Sequence, residues 1–162
     1  GIAMENLIEL KKQRAELDRK IYMLECTECP LKEGDEFWYV DQFGNIEHRI
    51  FGNHEWIKQA MNQGHLFCSE QEAKLESKRR DLLNRIKIFR DNCNNNWKLN
   101  WEDYNEEKHY MCYTKDNYLG CYHDKETNNF PLFGYFQKWV DVFDAIELFK
   151  NEIEVLFINC EV

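Results

Sequence analysis

Phe37-Trp38-Tyr39-Val40-Asp41-Gln42-Phe43-Gly44-Asn45-Ile46-Glu47-His48-Arg49-Ile50-Phe51 decides the fold class of this 162-residue chain. Phe37 to Val40 is an aromatic and β-branched run, which reads as a strand. Asp41 to Gly44 carries turn residues, and Asn45 to Phe51 returns as the second strand of a hairpin. After Gly52 a short helical stretch around Glu55 to Met61 stops at Gly64. Leu66-Phe67-Cys68 then leads into Ser69-Glu70-Gln71-Glu72, a capping box in which Ser69 accepts from the amide three residues on and Glu72 reaches back. The helix it opens is expected to run to about Asp91. Leu75, Leu82, Leu83, Ile86 and Phe89 lie on one side of it, with Lys74, Lys78, Arg79, Arg80, Arg85, Lys87 and Arg90 elsewhere.

The pattern then repeats in outline. Asn92, Asn94, Asn95 and Asn96 close the helix, and Trp97, Trp101 and Tyr104 follow in a loop. His109 to Thr114, a Lys115-Asp116-Asn117 turn and Tyr118 to His123 read as a second hairpin. Leu132 to Phe136 reads as a further strand. Val140 to Lys150 reads as a helix with Val142, Phe143, Ile146 and Phe149 inward, and Ile153, Leu156 and Phe157 continue it as helix or strand. Gly64-His65-Leu66-Phe67 with Glu72-Ala73 rhymes with Gly134-Tyr135-Phe136 and Asp144-Ala145, a degenerate tandem duplication.

Upstream, Glu5 to about Glu25 is helical and free of Gly and Pro. With Leu7 at position a, the seam runs Leu7, Leu10, Arg14, Leu17, Ile21, Leu24, alternating steps of 3 and 4 with one polar interruption. Either a coiled coil or a helix packed on its own domain satisfies this spacing; the first predicts a homodimer through these six residues. Pro30 and Gly34 mark a linker. The expected fold is α+β: an N-terminal coiled-coil-like helix (4–29) followed by two tandem β-hairpin-plus-helix units (35–91 and 97–160). Gly1-Ile2-Ala3 ahead of Met4 reads as an expression remnant.

Composition narrows the function. Aromatics make up 15% of the chain, enough to build a core and to exclude wholesale disorder. No apolar run approaches the roughly 20 residues that cross a bilayer, and no charged segment leads into an apolar one at the N-terminus. A membrane-free protein of the cytoplasm is expected. The seven cysteines are odd in number and scattered, which reads as reduced thiols. Ser69 and Ser77 sit in no nucleophile elbow, and the seven glycines make neither dinucleotide-binding nor P-loop fingerprints.

The N-terminal charged helix, Phe37-Trp38-Tyr39-Val40 with the Gly44 turn, and Phe67-x-Ser69-x-x-Glu72-Ala73 resemble small proteins encoded by phages and prophages of Gram-positive bacteria. Asn96-x-x-x-Asn100-Trp101 and Asp144-Ala145-Ile146-Glu147-Leu148-Phe149 with Ile153 to Phe157 fit the same pattern, so the likeness spans most of the chain from Met4. Its motifs are structural and bring no catalytic signature. The resemblance implies an accessory protein of a mobile element, acting on host defence in the host cytoplasm.

Four candidate sites follow from residue type and spacing. Residues 102–162 hold thirteen Asp and Glu against five Lys, −8 of a total charge of −9. Glu102, Asp103, Glu106, Glu107, Asp116, Asp124 and Glu126 are expected to form an anionic surface suited to a basic groove on a host protein, including one built for nucleic acid. Solubility charge alone is the plainer reading of the same residues. Residues 70–90, by contrast, carry +3. Lys78, Arg79 and Arg80 with Trp97 and Trp101 make the alternative, a nucleic-acid or nucleotide-ligand site, opposed by the acidic whole. A solvated helix face is the simpler account. Cys26-Thr27-Glu28-Cys29 supplies half of a zinc site. The other ligands would have to come from Cys112, Cys121, His123 or a second copy, in a zinc-stabilised assembly protein; two unpaired thiols at a helix end are the simpler reading. Cys112 and Cys121 with His109 and His123 offer a nucleophile and base only if packing leaves them free. The expectation is therefore a non-enzymatic, metal-free and cofactor-free binding protein that inhibits a host defence or nucleic-acid-processing factor in an anti-CRISPR-like or anti-restriction-like way.

Overall fold

The computed structural model describes residues 1–116 and 118–162. Helix α1 (Ile2–Glu25) is followed by β1 (Glu36–Val40), β2 (Ile46–Ile50), α2 (Glu55–Asn62), β3 (Leu66–Phe67) and α3 (Glu70–Asn94). Then come β4 (Lys108–Tyr113), β5 (Leu119–Asp124), α4 (Trp139–Ile153) and a π-helical turn, Glu154–Ile158. The fold is α+β, with an N-terminal helix ahead of two small antiparallel sheets. Among the described residues, no helix is long and apolar enough to cross a membrane.

The first hairpin closes because Asp41 organises its own turn. Its Oδ1 accepts the Phe43 and Asn45 amides, both at 2.8 Å, and Gly44 takes φ +82°, where a side chain would be strained. β3 joins the other edge of β1, pairing Trp38 with Phe67 and Tyr39 with Leu66, so the order is β2-β1-β3. Phe37, Val40 and Ile57 are buried here, Phe37 and Val40 on opposite faces of β1 by alternation. Ser69 Oγ then accepts the Glu72 amide at 3.1 Å and starts α3.

The second sheet is built the same way around. β4 and β5 pair from Lys108↔Asp124 to Tyr113↔Leu119, and Phe136 bridges to His109 on the free edge of β4. Here the expected strand Leu132–Phe136 is corrected: a turn occupies most of it, and only Phe136 pairs. Pro131 lacks an amide hydrogen, its carbonyl accepts the Gly134 amide at 3.0 Å, and Phe130 and Gly134 take positive φ. Extended backbone cannot pass through those positions. A Cβ on Gly134 would collide with the Arg90 guanidinium, whose Nη1 donates to the Phe133 carbonyl at 3.0 Å. Asn117, the last residue of the expected second turn, lies outside the described residues.

α3 serves both sheets. Leu82 and Ile86 enter a core with Met111, Leu119, Phe133, Phe136, Val142, Ala145, Ile153 and Leu156. On its other flank, Ser77 Oγ donates to the Gly44 carbonyl, and Arg80 donates to the Gly64 carbonyl. On α4 the inward stripe is Val142, Ala145, Ile146, Phe149 and Ile153. Phe143, expected inward, is instead exposed against Trp139, with ring centroids 5.9 Å apart. It stands about 100° round the helix from Val142.

α1 is different in kind. At 24 residues it is about 36 Å long, and none of its residues is buried. Leu7, Leu10, Leu17, Ile21 and Leu24 are all exposed, so packing of this helix into the core of its own domain is not what the chain does. Its polar side chains pair only locally, as in Gln13 to Glu9 and Arg14 to Asp18.

Candidate functional site

The acidic residues converge at the open end of the second hairpin, and one buried lysine holds them there. Lys108 begins β4 and is fully buried. Its Nζ donates to the carbonyls of Asp103, Glu106 and Lys125, each at 3.1 Å. An ammonium has three donors, and all three are used. The same nitrogen lies 4.8 Å from the centroid of the Trp101 ring, whose electron-rich face attracts a cation. Burying an ammonium without such partners would cost several kcal/mol, on the order that isolated buried charges do. The lysine thus ties segment 101–107 to the far side of the hairpin.

A second lock stands beside it on the same face of the sheet. The Tyr135 hydroxyl donates to Asp124 Oδ2 at 2.7 Å and accepts the Asn129 amide at 2.9 Å. Burial and the hydrogen bond to Asp124 push its pKa up to about 12. Trp101 and Tyr110 meet Tyr135 edge to face, at 5.2 and 5.6 Å. Of the seven acidic residues, Glu102, Asp103, Glu107 and Glu126 are exposed at this end. Asp124 and Glu106 are half-buried there, Asp124 bonded to Tyr135 and Glu106 giving its carbonyl to Lys108. Asp116 is exposed at the turn end, roughly 17–20 Å away along the six-residue strands.

The basic set is not assembled. Arg79 Nε donates to the Leu156 carbonyl at 2.9 Å and Nη2 to Cys160 Sγ at 3.2 Å, pinning the C-terminal turn to α3. Arg80 contacts His65 Nδ1 and the Gly64 carbonyl and lies over Phe67. Lys78 alone of the three is exposed. About 24 Å of helix separates Lys78 from Asn94, and Trp97 lies beyond that end, while Trp101 is occupied by Lys108. A cleft of about 860 Å³ does border Lys78, Arg80 and Arg85. Asp41, Asp81 and Glu152 line it too, and Arg85 is already held by Glu152 and Asp81. Its charge is mixed and internally paired.

The two hairpin thiols are kept apart. Cys112 and Cys121 sit on opposite faces of the hairpin by alternation, and burial pushes the Cys121 thiol up, toward the inert neutral form. Cys26 is exposed and Cys29 half-buried just beyond α1, where Cys29 Sγ accepts the Leu31 amide at 3.3 Å.

Sequence reasoning missed one convergence. His109 and His123 are direct cross-strand partners, and Glu107 reaches both rings: Oε2 is 3.8 Å from His109 Nε2, and Oε1 is 3.9 Å from His123 Nε2. Burial lowers the pKa of His109, opposed by Glu107. The signal was present as a Glu-x-His spacing entering a strand, which places both side chains on one face. Only the hairpin register adds His123. No protein-family model matches the chain, and no similar curated protein or solved structure is found at a significant level.

Proposed function

We propose that the chain is a non-enzymatic binding protein of a phage or prophage. It acts in the host cytoplasm, inhibiting a host defence or nucleic-acid-processing protein whose basic groove receives the acidic end of the second hairpin. The observation that carries this reading is Lys108. Its three carbonyl bonds and its contact with Trp101 fix the loop bearing Glu102, Asp103 and Glu107. A solubilising acidic loop has no need of so costly an anchor; a contact surface gains from being held in one shape before the partner arrives. The mobile-element origin rests on the sequence resemblance. The exposed seam of α1 supports a dimer that presents two such surfaces.

The nucleic-acid reading is second, because Arg79 and Arg80 spend their donors inside the protein. One capture experiment separates the two. Host lysate is passed over the parent, over the triple variant Glu102→Lys, Asp103→Lys and Glu126→Lys, and over Lys78→Glu. The triple variant is expected to lose a protein partner that parent and Lys78→Glu both retain. Retention by the triple variant together with loss by Lys78→Glu refutes the acidic-face reading.

A further inference from the structure

We propose that Glu107, His109 and His123 form a binding site for a divalent transition-metal ion of the zinc class, with one coordination position left open to water. Among the described residues, they are the one group of three or more His, Cys, Asp or Glu side chains whose ligand atoms all lie within 4.8 Å of one another.

The backbone explains why they converge. His109 donates its amide to the Phe136 carbonyl at 2.9 Å and accepts the Phe136 amide at 2.7 Å. Its backbone groups therefore point away from β5, which makes His109↔His123 a non-hydrogen-bonded pair. Side chains of such pairs stand closest together in an antiparallel ladder. Glu107, two residues before His109, falls on the same face. The two rings meet with centroids 6.0 Å apart, and both Nε2 atoms turn toward the carboxylate.

The spacing suits an ion better than it suits direct contacts. At 3.8 and 3.9 Å the carboxylate is too far from either ring for a hydrogen bond. Around a tetrahedral zinc with ligand bonds of about 2.0–2.2 Å, neighbouring donor atoms lie roughly 3.3–3.5 Å apart. Each ring nitrogen faces a different carboxylate oxygen, and the three ligand atoms lie within 4.8 Å of one another, so closing on an ion needs about half an ångström at those two gaps and up to about 1.5 Å at the widest separation. The side chains that would move are the half-exposed ones, Glu107 and His123, at 47% and 53%. His109 is 8% exposed and held by Phe136, so it supplies the fixed ligand. Two imidazoles and one carboxylate favour zinc and its first-row neighbours over calcium or magnesium, which prefer oxygen donors. Glu102, Asp103 and Glu126 at the same end draw cations toward the site.

The set excludes the cysteines. Cys112 faces the other side of the sheet, and Cys121 packs against the core. The site is independent of the Cys26–Cys29 pair; it shares Glu107 with the acidic surface above, but metal binding needs no partner protein.

The test uses the full chain carrying Cys26→Ser and Cys29→Ser, which removes the dithiol as a competing ligand. Metal-free protein is titrated with Zn²⁺ by calorimetry and with Co²⁺ by visible absorption. One equivalent is expected to bind, with no thiolate-to-cobalt charge-transfer band, and Zn²⁺ is expected to raise the melting temperature. Glu107→Gln and His123→Ala, at half-exposed positions, should each weaken binding at least about tenfold, because even changes behind the ligands cost 10–100-fold. Circular dichroism verifies that both variants fold. Absence of binding to the Cys26→Ser, Cys29→Ser protein overturns the site. So does unchanged affinity in both folded variants.

Discussion

Replacing Lys108 with Met removes the charge while keeping most of the side-chain volume, so the effect isolates the ammonium. Three carbonyls, those of Asp103, Glu106 and Lys125, lose their donor at once. A lost hydrogen bond costs about 1 kcal/mol, and more where the acceptor stays dry. Loss of the contact with Trp101 adds about 0.5–2 kcal/mol. Together these come to about 3.5–5 kcal/mol. Relief from burying an ammonium acts in the opposite direction, which places the net just below the lower end, about 3 kcal/mol. For a chain of this size each kcal/mol moves the melting temperature by about 2–4 °C. Lys108→Met should therefore melt about 6–12 °C below the parent and unfold at lower urea, while Lys98→Met, at an exposed loop position, should match the parent. Segment 101–107 should also become the earliest cleavage site in limited proteolysis. A melting temperature within about 2 °C of the parent, with unchanged proteolysis, refutes the view that this lysine organises the acidic loop.

Three further predictions come from other parts of the molecule. The full chain should be a dimer by light scattering and a chain starting at Lys32 a monomer, since α1 buries nothing of its own and helices draw most of their stability from packing an apolar face; a monomeric full chain removes the dimer. Glu152 titrates below its ordinary 4.5 because Arg85 donates to it. That stabilisation is complete above 4.5 and fades as pH falls through the lowered value, so Glu152→Gln should flatten the acid limb of stability against pH; an unchanged limb refutes it. His65 is held below its ordinary 6.5, by burial first and by the Arg80 charge second. The unfolded chain then takes up the proton first, and stability should decline as pH drops from 7 through 6.5. His65→Gln should remove part of that decline in melts across pH, and an identical slope contradicts the assignment.

Local signals carried most of the architecture. The Asp41–Gly44 turn, the Ser69 cap and the alternation in both hairpins each act within a few residues, and the structure reproduces them. Long-range geometry was less legible. Leu132 to Phe136 has strand composition, but Pro131, Gly134 and the distant Arg90 turn it into a loop that pairs only at Phe136. The basic helix and its neighbouring aromatics suggested Arg79, Arg80 and Trp101 as one binding set, whereas each is consumed by another contact: Leu156, Gly64 and Lys108. The acidic cluster was visible as composition. Its anchor was not, because a lysine opening a strand carries no mark of burial until the loops that cover it are known.

The association rate, measured against ionic strength once a partner has been captured, tests the central claim most directly. A preformed anionic face meeting a basic groove accelerates encounter at low salt, and charges at its rim act mainly on that rate. The parent should associate fastest at low salt and slow steeply as salt rises. Glu102→Lys, Asp103→Lys, Glu126→Lys together should associate more slowly at low salt, with the salt dependence flattened or reversed, while Lys78→Glu follows the parent curve. A triple variant that keeps the parent's rate and salt slope, beside a Lys78→Glu protein that loses both, contradicts the account and moves the contact to the basic helix.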